Sequence, residues 1–227
     1  MANPFYISTA ISYTNGPPHI GHAYEVIAAD AIARFKRLDG YDVFFLTGTD
    51  EHGLKVQKKA QELGIDPKKY VDEISKEFIQ LSLSLNCSND DFIRTTDERH
   101  VKNVQSIWKI LFDKGDIYLD QYSGWYSITD EAFYNEEELI KIESNSFLSP
   151  NGSPVEWVDE ESYFFKLSKY QNDLLELYEK NEKFILPSSR MNEIKNFVKS
   201  GLKDISISRK NISWGIPVKG NKDHSIY

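Results

Sequence analysis

Residues 5–38 contain the feature that most constrains the fold, because a strand, a turn-rich loop and a helix follow one another directly. Residues 5–10 are β-branched and aromatic, which is typical of a buried strand. Residues 23–38 place apolar side chains at helical spacing, namely Ala23, Ile27, Ala31 and Phe35. In an α/β sheet such a loop lies at the carboxyl end of its strand, where ligands bind. The pattern therefore predicts an α/β sheet with a ligand site after the first strand.

The loop itself reads Tyr-Thr-Asn-Gly-Pro-Pro-His-Ile-Gly-His over residues 13–22. It brings His19 and His22 to the start of the helix, where free backbone N–H groups and the positive end of the helix dipole favour anions. Both imidazoles can donate hydrogen bonds to phosphate oxygens, and Gly16 and Gly21 leave the backbone open to a ligand. Incidental histidines on an ordinary helix are the alternative, but the paired spacing between glycines favours a nucleotide-phosphate site.

The following segments continue the α/β pattern. Asp42–Thr47 is predicted to be a buried strand that ends in a polar loop, Gly48–Gly53, which places Asp50 beside the first loop. Helices are predicted over 54–63, over 66–85 with Asp66 as N-cap and Pro67 at the first helical position, and over 98–114. A short strand over 92–95 completes this part.

The sequence pattern changes near Asp116. Short aromatic runs separated by turn residues predict a β-rich segment over 117–158. Helices are predicted to follow over 168–181, with Leu174, Leu175 and Tyr178 on one side, and over 188–200.

Composition limits the class of protein without identifying it. With 40% hydrophobic and 27% charged residues the chain can bury a sizeable core. It has no apolar run of the roughly 20 residues that a membrane helix needs and no basic-then-apolar N-terminus. The one cysteine, Cys87, excludes an intrachain disulfide and suits a reducing compartment. We therefore expect a cytoplasmic monomer with no membrane partner. The net charge of −8 counts mildly against strong nucleic-acid binding by this chain alone.

The histidine loop resembles the HIGH signature of class I aminoacyl-tRNA synthetases, present as His19-Ile20-Gly21-His22. Residues 10–24 around it are similar to the methionyl-tRNA synthetase family, and so is Phe45-Leu46-Thr47-Gly48-Thr49-Asp50-Glu51-His52-Gly53. A third match, Asp204–Arg209 followed by Trp214-Gly215-Ile216-Pro217, is similar to the segment where the family re-enters its nucleotide-binding fold.

The resemblance implies a Rossmann-like parallel sheet of the class I synthetase type, interrupted by a connective insertion with β-rich and helical parts. The first half of the nucleotide-binding domain would occupy 1–115, the insertion 116–203 and the start of the second half 204–227. Family members often carry a zinc knuckle in the insertion. Ser127 and Asp130 stand at the corresponding places here and the insertion has no cysteine, so we predict a knuckle-shaped loop without zinc.

The resemblance also implies a reaction: methionine is activated by ATP to methionyl-adenylate and then transferred to tRNA(Met). His19 and His22 would be the catalytic donors to the phosphates. ATP would contact them and further residues, namely Asn15, Gly16, Gly21 and Arg209. Methionine would contact Ala10, Ile11, Tyr13 and Asp50, with Asp50 holding the ammonium group. Mg²⁺ would accompany ATP, bound mainly by phosphate oxygens and water, and no protein metal site is expected.

The family completes its site with a KMSKS loop that is not found in this sequence. The resemblance therefore predicts an N-terminal part of a longer enzyme, in which a sheet ending at 225–227 would leave one strand unpaired and the pocket open, and which alone would be weakly active or inactive. Two other classes stay open. A small nucleotidyltransferase could use a similar histidine loop, and a non-catalytic module derived from a synthetase could bind tRNA or a protein partner.

Overall fold

The structure of the protein is a computed structural model, which describes residues 2–130, 132–143, 146–210 and 212–226. The chain divides into two compact units. The first unit consists of residues 2–105 with 212–216, and the second of 106–210 with 217–226.

The first unit is built on a parallel sheet. Its strands are β1 (Pro4–Ser8), β2 (Ser12–Tyr13), β3 (Asp42–Asp50) and β4 (Asp91–Arg94). Its helices are α1 (Ile20–Leu38), α2 (Leu54–Glu62), α3 (Pro67–Ser84) and the first part of α4 (Glu98–Asp113). β3 pairs in parallel with the other three strands, with Ile7 opposite Phe45, Tyr13 opposite Asp50, and Thr49 opposite Arg94. The predicted parallel α/β sheet is confirmed.

The strand β3 is longer than the sequence predicts. It continues through Asp50, whereas the sequence predicted a loop from Gly48 onward. The reason is pairing on both edges, because β4 runs beside 46–49 and β2 beside 49–50. A Cβ at Gly48 would lie 2.0 Å from the carbonyl oxygen of Ile93, so only glycine allows β4 to approach this closely.

The helix α1 packs on the sheet through a different face from the predicted apolar row. Its buried side chains are Ala23, Val26, Ala29, Asp30 and Ala33. Of the predicted row only Ala23 is buried, while Ile27 and Phe35 are 47% and 61% exposed. β1 is likewise half-buried, since its residues alternate between partly buried and exposed.

The helices α2 and α3 form a second small core, in which the buried side chains are Val56, Ala60, Tyr70 and Val71. Asp66 caps α3 as predicted, because its carboxylate accepts hydrogen bonds from the backbone N–H groups of Lys68 and Lys69. The segment 212–216 packs here as well. Trp214 lies against the cluster, and the backbone N–H groups of Ser213 and Trp214 donate to Oε1 of Gln57.

The second unit is β-rich with two helices. Its strands are β5 (Ile117–Ser127), β6 (Ala132–Tyr134), β7 (Ile140–Glu143), β8 (Ser146–Leu148), β9 (Glu156–Phe165), β10 (Ile205–Ser206), β11 (Ile216–Val218) and β12 (Asn221–Ile226). Its helices are the end of α4, α5 (Gln171–Lys180) and α6 (Ser188–Lys199), with 3₁₀ turns at Glu136–Glu138 and Leu167–Tyr170.

The main sheet of the second unit has the order β10-β9-β5-β6, and β5 and β9 pair antiparallel from Ile117–Phe165 to Tyr126–Glu156. The predicted side of α5 is confirmed, because Leu174, Leu175 and Tyr178 pack against α6. The expectation of an unpaired last strand is wrong, since β12 pairs with β11. No helix in the described ranges is long and apolar enough to cross a membrane.

Asp30 ties α1 to the loop before β4, which generates a first prediction. Its carboxylate accepts hydrogen bonds from the backbone N–H of Ser88, from the hydroxyl of Ser88 and from Nε of Arg34, all at 2.6 Å. We expect Asp30→Ala to lower the free energy of unfolding by about 2–3 kcal/mol, because it removes hydrogen bonds to a charged group and leaves the partly buried donors of Ser88 without their acceptor. Urea unfolding followed by circular dichroism measures this. Asp39→Ala is the control, since Asp39 lies in an exposed pair with Lys36 on the same helix; equal effects of the two variants would contradict the assignment.

The stability of the protein should also depend on pH, through the protonation of His52. This residue is 8% exposed, its ring packs against Trp214 at 5.5 Å between centroids, and burial lowers its pKa to about 4. Between pH 6.5 and 4 the unfolded chain therefore binds a proton at this residue that the folded protein does not bind. We expect stability to fall over that window, by about 3 kcal/mol from this residue.

His52→Gln should remove that part of the pH dependence. The measurement is urea unfolding of both proteins at pH 7.0, 6.0 and 5.0. A constant difference in the free energy of unfolding between the two proteins across these values would show that His52 does not titrate as its burial requires.

Candidate active site

The amino end of α1 is held by its two histidines. His19 is the N-cap residue, and its Nδ1 accepts a hydrogen bond from the backbone N–H of Gly21 at 3.1 Å. Nδ1 of His22 in turn accepts from the backbone N–H of His19 at 3.1 Å. The imidazole rings stack with their centroids 3.8 Å apart. The pair thus forms a reciprocal cap in which histidines replace the usual Ser or Thr and Glu.

This cap fixes the tautomer of both rings. A nitrogen that accepts a hydrogen bond carries no proton, so each neutral imidazole must carry its proton on Nε2. Neither Nε2 has a hydrogen-bond partner among the described residues. Two Nε2–H donors are therefore available to a ligand at the positive end of the α1 dipole.

The two glycines of the loop differ in role. A Cβ at Gly21 would lie 3.0 Å from Cε1 and 3.1 Å from Nδ1 of His19, so Gly21 makes room for the capping ring itself. A Cβ at Gly16 would meet nothing within 4 Å. Asn15 is exposed and Gly16 is partly buried in the bend that precedes α1.

His22 is further positioned by α1 and α3. Its ring meets Phe78 edge to face at 5.0 Å between centroids. Its pKa is lowered by burial and by the charge of His19, against an opposing effect of Glu25. The imidazole therefore stays neutral at pH 7, and Nδ1 keeps its capping role.

A cleft of about 300 Å³, which includes space open to solvent, lies beside His22 at the carboxyl ends of β1 and β3. Its walls come from the segment after β1 and from β2, α1, β3, α3 and β4, through residues that include Ala10, Ser12, Glu25, Thr47, Gly48, Phe78 and Phe92. The backbone N–H of Ala10 donates to Oε1 of Glu25 at 2.8 Å, which ties the chain after β1 to α1.

The other predicted methionine contacts lie at the β2–β3 end of the sheet. Tyr13 stands opposite Asp50 in the parallel register, and Ile11 is 38% exposed. The ring of Tyr13 packs against the α2–α3 cluster. The carbonyl oxygen of Asp50 accepts from the N–H and the hydroxyl of Thr14, at 3.0 and 3.1 Å. The predicted juxtaposition of Asp50 with the first loop is confirmed, and the ligand contacts of these residues stay predictions.

Arg209 belongs to the second unit, so it is not among the residues that the first unit brings together. Its side chain is buried, and its guanidinium carbon lies 4.3 Å from the ring centroid of Phe133 and 5.0 Å from that of Tyr126. Nη1 donates to the hydroxyl of Ser206 at 2.9 Å and lies 3.5 Å from Glu160. Nε is buried without a hydrogen-bond partner in the described part of the chain.

At the place of the predicted knuckle, Asp130 holds the turn together by hydrogen bonds. Its backbone N–H donates to Oγ of Ser127 at 3.2 Å, and its carboxylate accepts from the hydroxyls of Tyr134, Ser149 and Ser153. Within the described ranges no three His, Cys, Asp or Glu side chains come together in a way that could hold a metal ion. The lack of a structural zinc stays a prediction.

Sequence reasoning missed several residues that shape the site. Glu25 could have been found, because it follows His22 by three positions on the same helix. Phe78 is 56 positions beyond His22, and no local pattern connects the two. Arg94 forms an ion pair with Glu51, 43 positions before it, and no local pattern connects these two either. Glu51 lies inside the segment 45–53 that resembles the family, yet no local pattern there indicates that its side chain is buried.

The comparisons with known proteins agree with this geometry. The sequence model of the family described as "tRNA synthetases class I (M)" matches residues 5–147 and 139–227. Methionine–tRNA ligase of Brucella suis biovar 1 is 56% identical over 223 residues, which cover 98% of this chain and 43% of that protein. Methionine–tRNA ligase of Rickettsia conorii is 56% identical over 227 residues, which cover 100% of this chain and 44% of that protein. The chain thus spans less than half the length of these relatives.

Solved structures show the same fold. Mycobacterium tuberculosis methionyl-tRNA synthetase in complex with methionyl-adenylate superposes with a TM-score of 0.94 at 49% identity, over 99% of this chain and 44% of that one. The apo form of that synthetase superposes with a TM-score of 0.82 at 46% identity, over 100% of this chain and 43% of that one.

The family match runs through the histidine loop, the strand that ends at Asp50 and the segment after Asp204, which are the three stretches that carried the resemblance. A small nucleotidyltransferase gains no support from any of these comparisons. The chain belongs to the class I tRNA synthetases of the M group.

Proposed function

We propose that the protein carrying this chain activates methionine with ATP and transfers it to tRNA(Met), and that this chain supplies the amino-terminal part of the catalytic site. The observation that carries the proposal is the pair of capped, stacked imidazoles in the same unit as the Tyr13–Asp50 strand ends. The names of the relatives support the same reaction, and so does the methionyl-adenylate in complex with the Mycobacterium tuberculosis synthetase.

The nucleotide would bind at the amino end of α1. The carboxylate oxygen of methionine attacks the α-phosphorus of ATP, the bond from that phosphorus to the bridging oxygen breaks, and pyrophosphate leaves. Nε2–H of His19 and of His22 would donate to phosphate oxygens, where preorganised donors are worth a few kcal/mol each. Because the capping hydrogen bonds keep the proton of each ring on Nε2, both rings face the ligand as donors.

The remaining nucleotide contacts are proposed with different support. Asn15 and Gly16 lie in the open bend before α1, where a ligand has access to the backbone. Arg209 is engaged with Ser206 and Glu160, and its contact with the nucleotide is proposed only from the resemblance of residues 204–209 to the family. Mg²⁺ would arrive with ATP as part of the substrate, bound by phosphate oxygens and water.

Methionine would bind where β1, β2 and β3 end. Asp50 would pair with its ammonium group in a charge-assisted hydrogen bond, and Tyr13 and Ile11 would offer aromatic and apolar surface to its thioether. The backbone of Ala10, fixed by Glu25, completes this side. We place the protein in the cytoplasm and assign no membrane partner to it.

The reaction is tested by ATP–pyrophosphate exchange with each amino acid, using the full-length product of the gene. We expect exchange with methionine alone. Asp50→Asn should raise the KM for methionine about 10- to 100-fold, because a charge-assisted hydrogen bond is worth about 1.5–3 kcal/mol. Asp42→Asn, at the exposed opposite end of β3, is the control. Exchange with a different amino acid, or an unchanged KM in Asp50→Asn, would contradict the proposal.

The tautomers of the two histidines give a prediction that does not depend on activity. In the chain labelled with ¹⁵N-histidine, long-range ¹H–¹⁵N spectra at pH 7.5 should show His19 and His22 protonated at Nε2 only. A charged ring must carry a proton on Nδ1, facing the N–H group it caps. Because the pKa of His22 is lowered, the hydrogen bond that its Nδ1 accepts from the N–H of His19 should be present above pH 6.5 and be lost as the pH falls through the lowered pKa.

Gly21→Ala should disturb the ring of His19 and leave that of His100 unchanged, because only the ring of His19 meets the added Cβ. An Nδ1–H tautomer at either histidine of the wild-type loop would refute the capping geometry.

A further inference from the structure

Glu51 is a fully buried carboxylate that the proposed reaction does not use. Its exposed fraction is 0%, and it follows Asp50 directly at the end of β3. Burial would raise its pKa, but hydrogen bonds from Arg94, Ser75, Thr96 and Thr49 outweigh that effect and lower the pKa, so the group is ionised at pH 7. A buried charge of this kind persists only where its partners are complete.

The main partner of Glu51 is Arg94, the last residue of β4. Nε of Arg94 donates to Oε1 at 2.6 Å and Nη2 donates to Oε2 at 2.9 Å, which is the bidentate geometry that lysine cannot reproduce. Nη2 also lies 2.6 Å from Asp72 on α3. The hydroxyl of Thr49 donates to Oε1 at 2.7 Å, and those of Ser75 and Thr96 donate as well.

Hydrogen bonds hold the backbone on both sides of Asp50. The N–H of Glu51 donates to the hydroxyl of Thr95 at 2.9 Å, and the indole N–H of Trp214 donates to the carbonyl oxygen of Glu51 at 2.5 Å. The N–H of Gly53 donates to the carbonyl oxygen of Trp214 at 3.1 Å. On the other side, Thr14 holds the carbonyl oxygen of Asp50.

We propose that Glu51 and Arg94 are positioning residues, which hold the end of β3 so that the carboxylate of Asp50 stands where the ammonium group of the amino-acid substrate binds. The inference rests on the proposed function of Asp50. Arg94 ends β4 and pairs with Glu51, which follows Asp50. The position of the Asp50 carboxylate therefore depends on the register between β3 and β4. Its effect should fall on the amino group of the substrate and spare the nucleotide, because the phosphate donors His19 and His22 are fixed by their own cap.

The test uses the full-length protein carrying Arg94→Met. We measure the KM for methionine, the KM for ATP, and the inhibition constant of 4-(methylthio)butanoate, which is methionine without its amino group. We expect the KM for methionine to rise at least tenfold, while the KM for ATP and the inhibition constant change less than twofold. Arg94→Lys, which keeps the charge without the bidentate bond, should lie between Arg94→Met and the wild type.

Two further variants keep the test decisive. Thr96→Val removes one hydrogen bond to Glu51 and leaves the ion pair intact, so it should raise the KM for methionine two- to threefold even if Arg94→Met does not fold. Arg99→Met removes an arginine of the same region whose exposed side chain pairs with Asp91 and Asp97, and it should change nothing.

The outcomes separate the two claims. Equal rises for methionine and for the analogue without the amino group, or a rise in the KM for ATP, would show a merely structural role and overturn the inference. An Asp50→Asn variant that binds methionine as well as the wild type does would overturn the proposed role of Asp50 itself. No change in Thr96→Val and Arg94→Lys would also overturn the inference.

Discussion

The central strand β3 is the constraint on which the first unit depends. It pairs with β1 and β2 along one edge and with β4 along the other, so three parallel strands are aligned by it alone. Gly48 makes this possible, because any Cβ there would collide with the carbonyl of Ile93. The same pairing carries the ends of β2, β3 and β4 to one edge of the sheet, which is where a parallel sheet binds ligands.

On that edge the sequence uses two separate means of holding polar groups. At α1 the histidine side chains accept from the N–H groups of His19 and Gly21 and are in turn given a fixed tautomer by them, so one pair of hydrogen bonds serves both the helix and the candidate ligand site. At the end of β3 the buried ion pair of Glu51 with Arg94, together with hydroxyl groups from neighbouring segments, immobilises the chain that follows Asp50. The first set of hydrogen bonds is local in sequence, while the second joins residues of β3, β4 and α3 with the turns beside them.

That difference explains how much could be predicted from sequence. The cap at Asp66 and the end of α4 depend on neighbouring residues, and prediction placed both within a residue or two. The closeness of Asp50 to the histidine loop followed from a general property of parallel sheets. The length of β3 could not be predicted, because pairing with a strand more than 40 positions away decides it. The buried face of α1 was missed because Val26, Ala29 and Ala33 are small and leave a weaker pattern than the exposed Ile27 and Phe35.

The residues of the candidate site divide in the same way, into those that a local motif reveals and those that only the fold reveals. His19 and His22 belong to a contiguous motif, so their pairing is readable from the sequence. Arg94 looks like any arginine at the end of a strand, and only the complete burial of Glu51 shows that the two charges must meet. Since an unpaired carboxylate at that depth would cost several kcal/mol, the position of Arg94 is fixed as strictly as that of a ligand-binding residue. The anchoring of Asp50 therefore depends on the pairing of β3 with β4, while the anchoring of the histidines depends on the first turn of α1, so the two can be perturbed independently.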